Sequence, residues 1–148
     1  MSLIFLYILL ITGIFVGEFQ IKNRIEKKED GAKHTKFILL HKYHNRGAAL
    51  NFGQRHRRIV AAVSVIFCII AFICFLLSLG QKGNHLLRLG LAILLGGAFS
   101  NTYDRLKRKY VVDYFSFNVK WKPLRRIVFN LSDFCIIAGA LLAATGTP

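Results

Sequence analysis

Hydrophobic positions in this chain fall in blocks rather than stripes. Residues 59–79 (IVAAVSVIFCIIAFICFLLSL) run 21 positions without a charge. About 20 apolar residues are what a helix needs to cross the hydrocarbon core of a bilayer. A water-soluble helix of that length would carry a polar face at helical spacing, and this block has none. Three further blocks are nearly as clean. Residues 2–21 are broken only by Glu18, residues 86–103 carry Arg88 at their entry, and residues 127–147 hold Asp133 as their single charge. Arg88 is placed where a long side chain can snorkel to the interface. Backbone polar groups in lipid must be satisfied within their own segment, so all four blocks predict helices.

The expected architecture is an all-α membrane protein. It is one domain over residues 1–148, with four transmembrane helices at about 2–21, 59–79, 86–103 and 127–147. The first block has no basic n-region and no small-x-small cleavage site, so it is expected to be retained. Two long connections, 22–58 and 105–126, hold KFILLHKY (36–43) and YVVDYFSFN (110–118). Their branched and aromatic residues predict short strands or interfacial segments, a small β element folded onto the membrane surface. Trp121 and the nearby tyrosines suit the headgroup level.

Charge adds one constraint. Lys and Arg outnumber Asp and Glu by 21 to 7, for a net charge of +14. Such a balance often signals nucleic acid, but eleven basic residues lie in 22–58 and eight in 105–126, beside apolar blocks. Membrane lipids with anionic headgroups are the expected partner and nucleic acid is not, at roughly 1 kcal/mol per Lys or Arg near a charged surface. By the positive-inside rule these loops would face the cytoplasm. Cys68, Cys74 and Cys135 all lie in apolar blocks, as small buried or lipid-facing side chains rather than disulfides. The five histidines form no H-x-x-x-H or H-E-x-x-H pattern, so neither metal nor cofactor is expected.

The candidate chemistry lies in the polar residues that the apolar blocks retain, because a carboxylate in a span costs several kcal/mol and marks function. Asp133 lies early in the fourth block, with Asn130 three positions before it on the same helical face. Asn101, Asp104 and Arg105 share a face at the end of the third block. They follow Gly96, Gly97 and Ala98, whose small side chains allow close helix approach. Asp113 interrupts an apolar stretch, YVVDYF. Plainer readings exist for each. Asp104 and Arg105 can be an ion pair at a helix end, Asp113 a turn residue, and Asp133 a protonated acid or a partner of Arg105. Asn45 in HNRGAAL can be a turn residue before Gly47. No G-x-S-x-G occurs, and Ser100 and Ser132 have no histidine nearby in sequence. Two aspartates suit a different reaction. One carboxylate takes a proton from water while the other, protonated, polarises a scissile carbonyl, and two adjacent carboxylates naturally hold one proton between them.

GGAFSNTYDRL (96–106), VVDYF (111–115) and FNLSDFCIIAG (129–139), in that order, resemble the lipoprotein signal peptidases, or signal peptidase II. HNRGAAL (44–50) resembles that family's N-x-G-A-A block, and Glu18 with Lys22 its D-Q-x-x-K, so the resemblance runs from about residue 18 to 140. It implies an intramembrane aspartyl endopeptidase that removes signal peptides from diacylglyceryl-modified prolipoproteins and is sensitive to globomycin. The catalytic pair implied is Asp113 and Asp133, supported by Asn45, Asn101, Asp104, Arg105 and Asn130. The resemblance further implies a monomer spanning the cytoplasmic membrane of a bacterium, with both long loops outside and the site near the outer leaflet. That orientation opposes the charge count.

Several positions depart from the family pattern. Glu18 stands for Asp, Ser100 for Gly, Ser132 for Ala, Arg125–Val128 replaces a stretch with Pro, and Leu50–Asn51 a more aromatic one. Two rival readings follow from other features. One is a small four-span cation or drug transporter with Glu18 as its proton site, and the other is a non-catalytic relative of the peptidases.

Overall fold

The computed structural model of the chain describes residues 3–27, 33–34, 36–48, 52–80 and 83–146. Three helices are long and apolar enough to cross a membrane: α1 (Leu3–Lys27), α2 (Arg57–Leu79) and α3 (His85–Lys107). A 3-10 turn, Gln54–His56, leads into α2. The central helix is α3. Half of its apolar stretch is buried within the protein, against 11% for α1 and 17% for the helix that contains α2. Accordingly α2 turns Ile59, Ile66, Phe67, Ile69, Ile70 and Leu77 outward at more than half exposure, as a lipid-facing helix must. The small apolar core gathers Tyr7, Phe75, Leu91, Ala92, Leu95 and Ala143.

Glycines set how closely α3 is approached. A Cβ at Gly96 would lie 2.7 Å from the Ile14 side chain on α1, and one at Gly97 would lie 2.5 Å from the Ser132 carbonyl oxygen. Gly90 and Gly139 face each other in the same way. Backbone-to-backbone packing of this kind replaces the hydrophobic drive that is absent in lipid. It seats α5 (Leu131–Thr145) against α3.

The fourth apolar block corrects the expectation of a helix over 127–147. Phe129 gives its backbone to a strand: its N–H donates to the Phe115 carbonyl (2.7 Å), and its own carbonyl accepts from Tyr114 and Phe115. A residue committed to a sheet bridge cannot open a helix, so α5 begins only at Leu131 and spans 15 residues. At 1.5 Å per residue that is about 22 Å, short of a hydrocarbon core of about 30 Å. Asp133 therefore occupies the third position of the helix, not its interior. Ser2, Thr147 and the Ala49–Leu50–Asn51 stretch lie outside the described residues.

Both aromatic loop segments form strands, which gives the mostly helical protein the small β element expected of them, an antiparallel sheet. β1 (Lys33–His34), β2 (Ile38–Asn45) and β3 (Val111–Phe117) lie in that order. Tyr43 pairs with Asp113 and Asn45 with Val111, beyond a bulge between Leu40 and Tyr43. Val111 to Tyr114 are all buried, because this end of β3 runs across the helices instead of facing water. A four-residue helix, α4 (Lys122–Arg125), connects β3 toward α5.

Candidate active site

Asp113 enters the protein on β3, 1% exposed. Its Oδ1 accepts from Asn130 Nδ2 (2.6 Å) and its Oδ2 from Asn45 Nδ2 (3.0 Å). Asn45 is a turn residue as well, since its Oδ1 accepts the Gly47 N–H at 3.0 Å. Asp113 itself sits mid-strand, which removes its reading as a turn residue.

Asp133 belongs to a capping box. Asn130 is the N-cap of α5: its Oδ1 accepts the Asp133 N–H (3.0 Å), and Asp133 Oδ2 accepts the Asn130 N–H (3.0 Å). The same Asn130 side chain turns its amide nitrogen to Asp113. One fully buried asparagine thus holds both carboxylates. Asp133 Oδ1 is free of this box and accepts from Asn101 Nδ2 (2.9 Å). Both aspartates face one cavity of about 380 Å³, closed on its apolar side by Ile127, Val128, Ile136 and Ile137.

Electrostatics separate Asp113 from an ordinary surface acid. Burial first, then the charge of Asp133, push its carboxyl up to about 7, against the hydrogen bonds from Asn45 and Asn130 and the more distant charge of Lys22. Neither aspartate has a cation within salt-bridge distance among the described residues. Arg105 lines the cavity but donates to backbone, through Nη2 to the Gly47 carbonyl (3.0 Å) and Nη1 to the Asn101 carbonyl (3.4 Å). It pairs with neither Asp104 nor Asp133.

Asp104 has another role. Its Oδ1 meets Arg108 Nε (2.9 Å), one helical turn on, and its Oδ2 meets Lys22 Nζ (3.2 Å) and accepts the Val112 N–H (3.2 Å). The expected pairing with Arg105 fails because neighbours in a helix point to different faces, whereas residues four apart share one. Asp104 thus anchors the start of β3, and with it Asp113.

Sequence reasoning left a second buried cluster unassigned. Glu18 is 1% exposed, and its carboxylate accepts from the Tyr114 hydroxyl (2.7 Å), the Ser132 hydroxyl (2.9 Å) and the Ser132 N–H (3.2 Å). Lys22, fully buried, donates to Ser100 Oγ (3.0 Å) and Asn101 Oδ1 (2.8 Å) and lies 3.6 Å from Glu18. Burial and the hydrogen bond to Glu18 push the Tyr114 phenol up, so it stays a donor. The signal available was the Glu18/Lys22 spacing of four at the end of an apolar block, which predicts a shared face. Cys68 is buried against the Thr102 hydroxyl (3.1 Å), Cys74 is exposed and Cys135 half-buried.

With this geometry the chain is similar to known proteins throughout its length. The fold matches two solved structures of bacterial membrane enzymes determined by the in meso method. Their TM-scores are 0.80 and 0.76 at 21% identity, covering 97% of this chain and 88% and 93% of theirs. In sequence it is 31% identical to the lipoprotein signal peptidase of Clostridium acetobutylicum over 82% of this chain and 77% of that one. The lipoprotein signal peptidase of Moorella thermoacetica is likewise 31% identical, over 86% of this chain and 79% of its own. The pattern of signal peptidase (SPase) II matches residues 3–147, which takes in both aspartates, the three strands and every described helix, and the chain belongs to that family of membrane peptidases.

Proposed function

We propose that the chain is an aspartic-type endopeptidase that cleaves the signal peptide from prolipoproteins bearing a diacylglyceryl-modified cysteine, with Asp113 and Asp133 as its catalytic pair. The observation that supports this reading best is the pair of carboxylates held by one asparagine at the wall of one cavity. With the Asp113 carboxyl pushed up to about 7 by burial and by Asp133, one proton can be shared by the pair near neutral pH. One carboxylate then takes a proton from the attacking water, and the other donates a hydrogen bond to the scissile carbonyl and later protonates the leaving amine. Asn45, Asn101, Asp104, Arg105 and Asn130 are positioning residues in this scheme. Asn45, Asn101 and Asn130 bond the two carboxylates, Asp104 the backbone of the strand that carries Asp113, and Arg105 the backbone at Gly47 and Asn101. The apolar wall suits the lipid and signal-peptide portions of such a substrate. Glu18, with both oxygens occupied and 1% exposure, is poorly suited to exchange protons as a transporter site.

The same reading makes the chain one domain with α5 completing a fourth crossing, monomeric in the cytoplasmic membrane, and with its site near the outer leaflet. A synthetic precursor tests the chemistry. The purified protein should cleave it when its cysteine carries diacylglycerol and not when the cysteine is bare. Equal cleavage of both, or of neither, would sink the substrate assignment. Orientation is tested separately, in a background lacking Cys68, Cys74 and Cys135. A cysteine at Lys36 should react with an impermeant thiol reagent in intact cells, and one at Lys82 only after the membrane is opened. The reverse pattern would favour the charge count and remove the site from its exported substrates.

A further inference from the structure

A second cavity, of about 340 Å³, opens between the start of α2 and the end of α3 and shares Arg105 with the acidic one. Five cationic side chains line it, Arg46, Arg57, Arg58, Arg105 and Lys109, and no carboxylate among the described residues does. Like charges gathered in a cleft repel unless something offsets them. Arg57 and Arg58 form no ion pair among the described residues. They also stand in the first turn of α2, where no acid is present. The helix dipole is positive at that end and favours anions there, so both arginines sit against it. Arg105 adds a buried Nε without a hydrogen-bond partner. Among the described residues, no carboxylate pairs with Arg57 or Arg58.

Below the cations the wall is apolar. Ala61, Ala62 and Val65 continue down α2 from Arg57 and Arg58 at helical spacing, on a helix that is otherwise lipid-facing. Small side chains at 61 and 62 leave a groove running from the charged rim toward hydrocarbon depth. A free phosphate would use only the rim. A molecule with a phosphate head and an apolar tail uses both parts.

We propose that this cleft binds an anionic phospholipid, its phosphodiester among Arg46, Arg57, Arg58 and Lys109 and one acyl chain along Ala61, Ala62 and Val65. The site is distinct from the peptidase chemistry and does not depend on it. The bound headgroup offsets Arg57, Arg58 and the adverse dipole together, and it converts part of the chain's excess positive charge into a specific contact.

Native mass spectrometry of the full-length protein in neutral detergent tests this, titrating phosphatidylglycerol, phosphatidylcholine of the same chains, or inorganic phosphate. The first phosphatidylglycerol should bind about tenfold more tightly than phosphatidylcholine, and Arg57→Gln/Arg58→Gln should erase the difference. Arg125→Gln/Arg126→Gln, a basic pair elsewhere on the surface, should keep it. Ala62→Phe, at an exposed helical position, retains every cation and fills the groove. It should lose the phosphatidylglycerol preference while folding as the parent does. The proposal is overturned if the Arg57/Arg58 variant keeps its preference, if Ala62→Phe does, or if inorganic phosphate competes as well as the lipid.

Discussion

Two buried acidic clusters lie side by side in this protein, joined through Asn101, and they follow opposite electrostatic plans. In one, Glu18 and Asp104 flank the Lys22 ammonium, and Arg108, Tyr114 and Ser132 take the remaining oxygen valences. In the other, Asp113 and Asp133 have only neutral donors, Asn45, Asn101, Asn130 and a backbone N–H, and they open onto a cavity. The first cluster compensates its charge internally and has nothing left to do but hold α1, α3, β3 and α5 together. The second leaves charge uncompensated and so keeps one carboxyl near neutrality. A buried carboxylate is informative about chemistry only when its counter-charge is missing.

The comparison breaks most sharply on substitution of its two halves. Asp113→Asn and Asp133→Asn should each lower turnover about 10³-fold or more, with the double variant no worse than either single one and thermal stability in detergent little changed. Near-normal turnover in either variant would dissolve the pairing. Lys22→Met should do the reverse. It leaves Glu18 a buried charge without its cation, while Asp104 keeps Arg108, at a cost of about 3–5 kcal/mol, read as a fall in the unfolding temperature of the purified protein. An unchanged melting temperature would mean that the first cluster is not structural.

Smaller effects sharpen the picture. Asn130→Ala removes a helix cap worth about 1 kcal/mol and releases both aspartates at once, so cleavage should fall by more than the stability does. A proportionate fall would reduce Asn130 to a cap. Arg105→Lys keeps the charge but not the planar fork that reaches the Gly47 and Asn101 carbonyls. It should lower kcat/KM roughly tenfold, and full activity would count against a positioning role. The finest test is pH. An acid held near 7 must lose its proton as pH rises, so kcat/KM should fall on an alkaline limb near about 7. The Asn45 hydrogen bond favours the anion, hence Asn45→Ala should move that limb upward. A downward move would contradict the sign.

Three departures from the family pattern acquire a meaning in this light. Glu18 reaches Ser132, and Lys22 reaches Ser100. All three substituted positions therefore meet in the compensated cluster, and none of their side chains hydrogen-bonds to Asp113 or Asp133. The Ser132 hydroxyl donates to Glu18, and the Ser100 hydroxyl accepts from Lys22.

By itself the sequence determined the helices that had to be helices and the segments that had to be strands. A run of 21 uncharged residues has one stable backbone solution in lipid, and KFILLHKY and YVVDYFSFN carry branched and aromatic residues that a sheet accommodates better than a helix. It also carried the motifs that place the chain among signal peptidases. It could not show where the fourth helix starts. Apolar content continues through residues 127–129, and only the bridge between Phe115 and Phe129 decides that Asn130 is a cap and Asp133 its partner. Nor could it assign the counter-charges. Glu18 finds Tyr114 across 96 residues and Ser132 across 114, and such pairings are set by how closely Gly96 and Gly97 let the helices approach. Local pattern follows from the solvent each segment must satisfy, whereas which buried acid keeps its proton depends on what packing brings within about 3 Å of it.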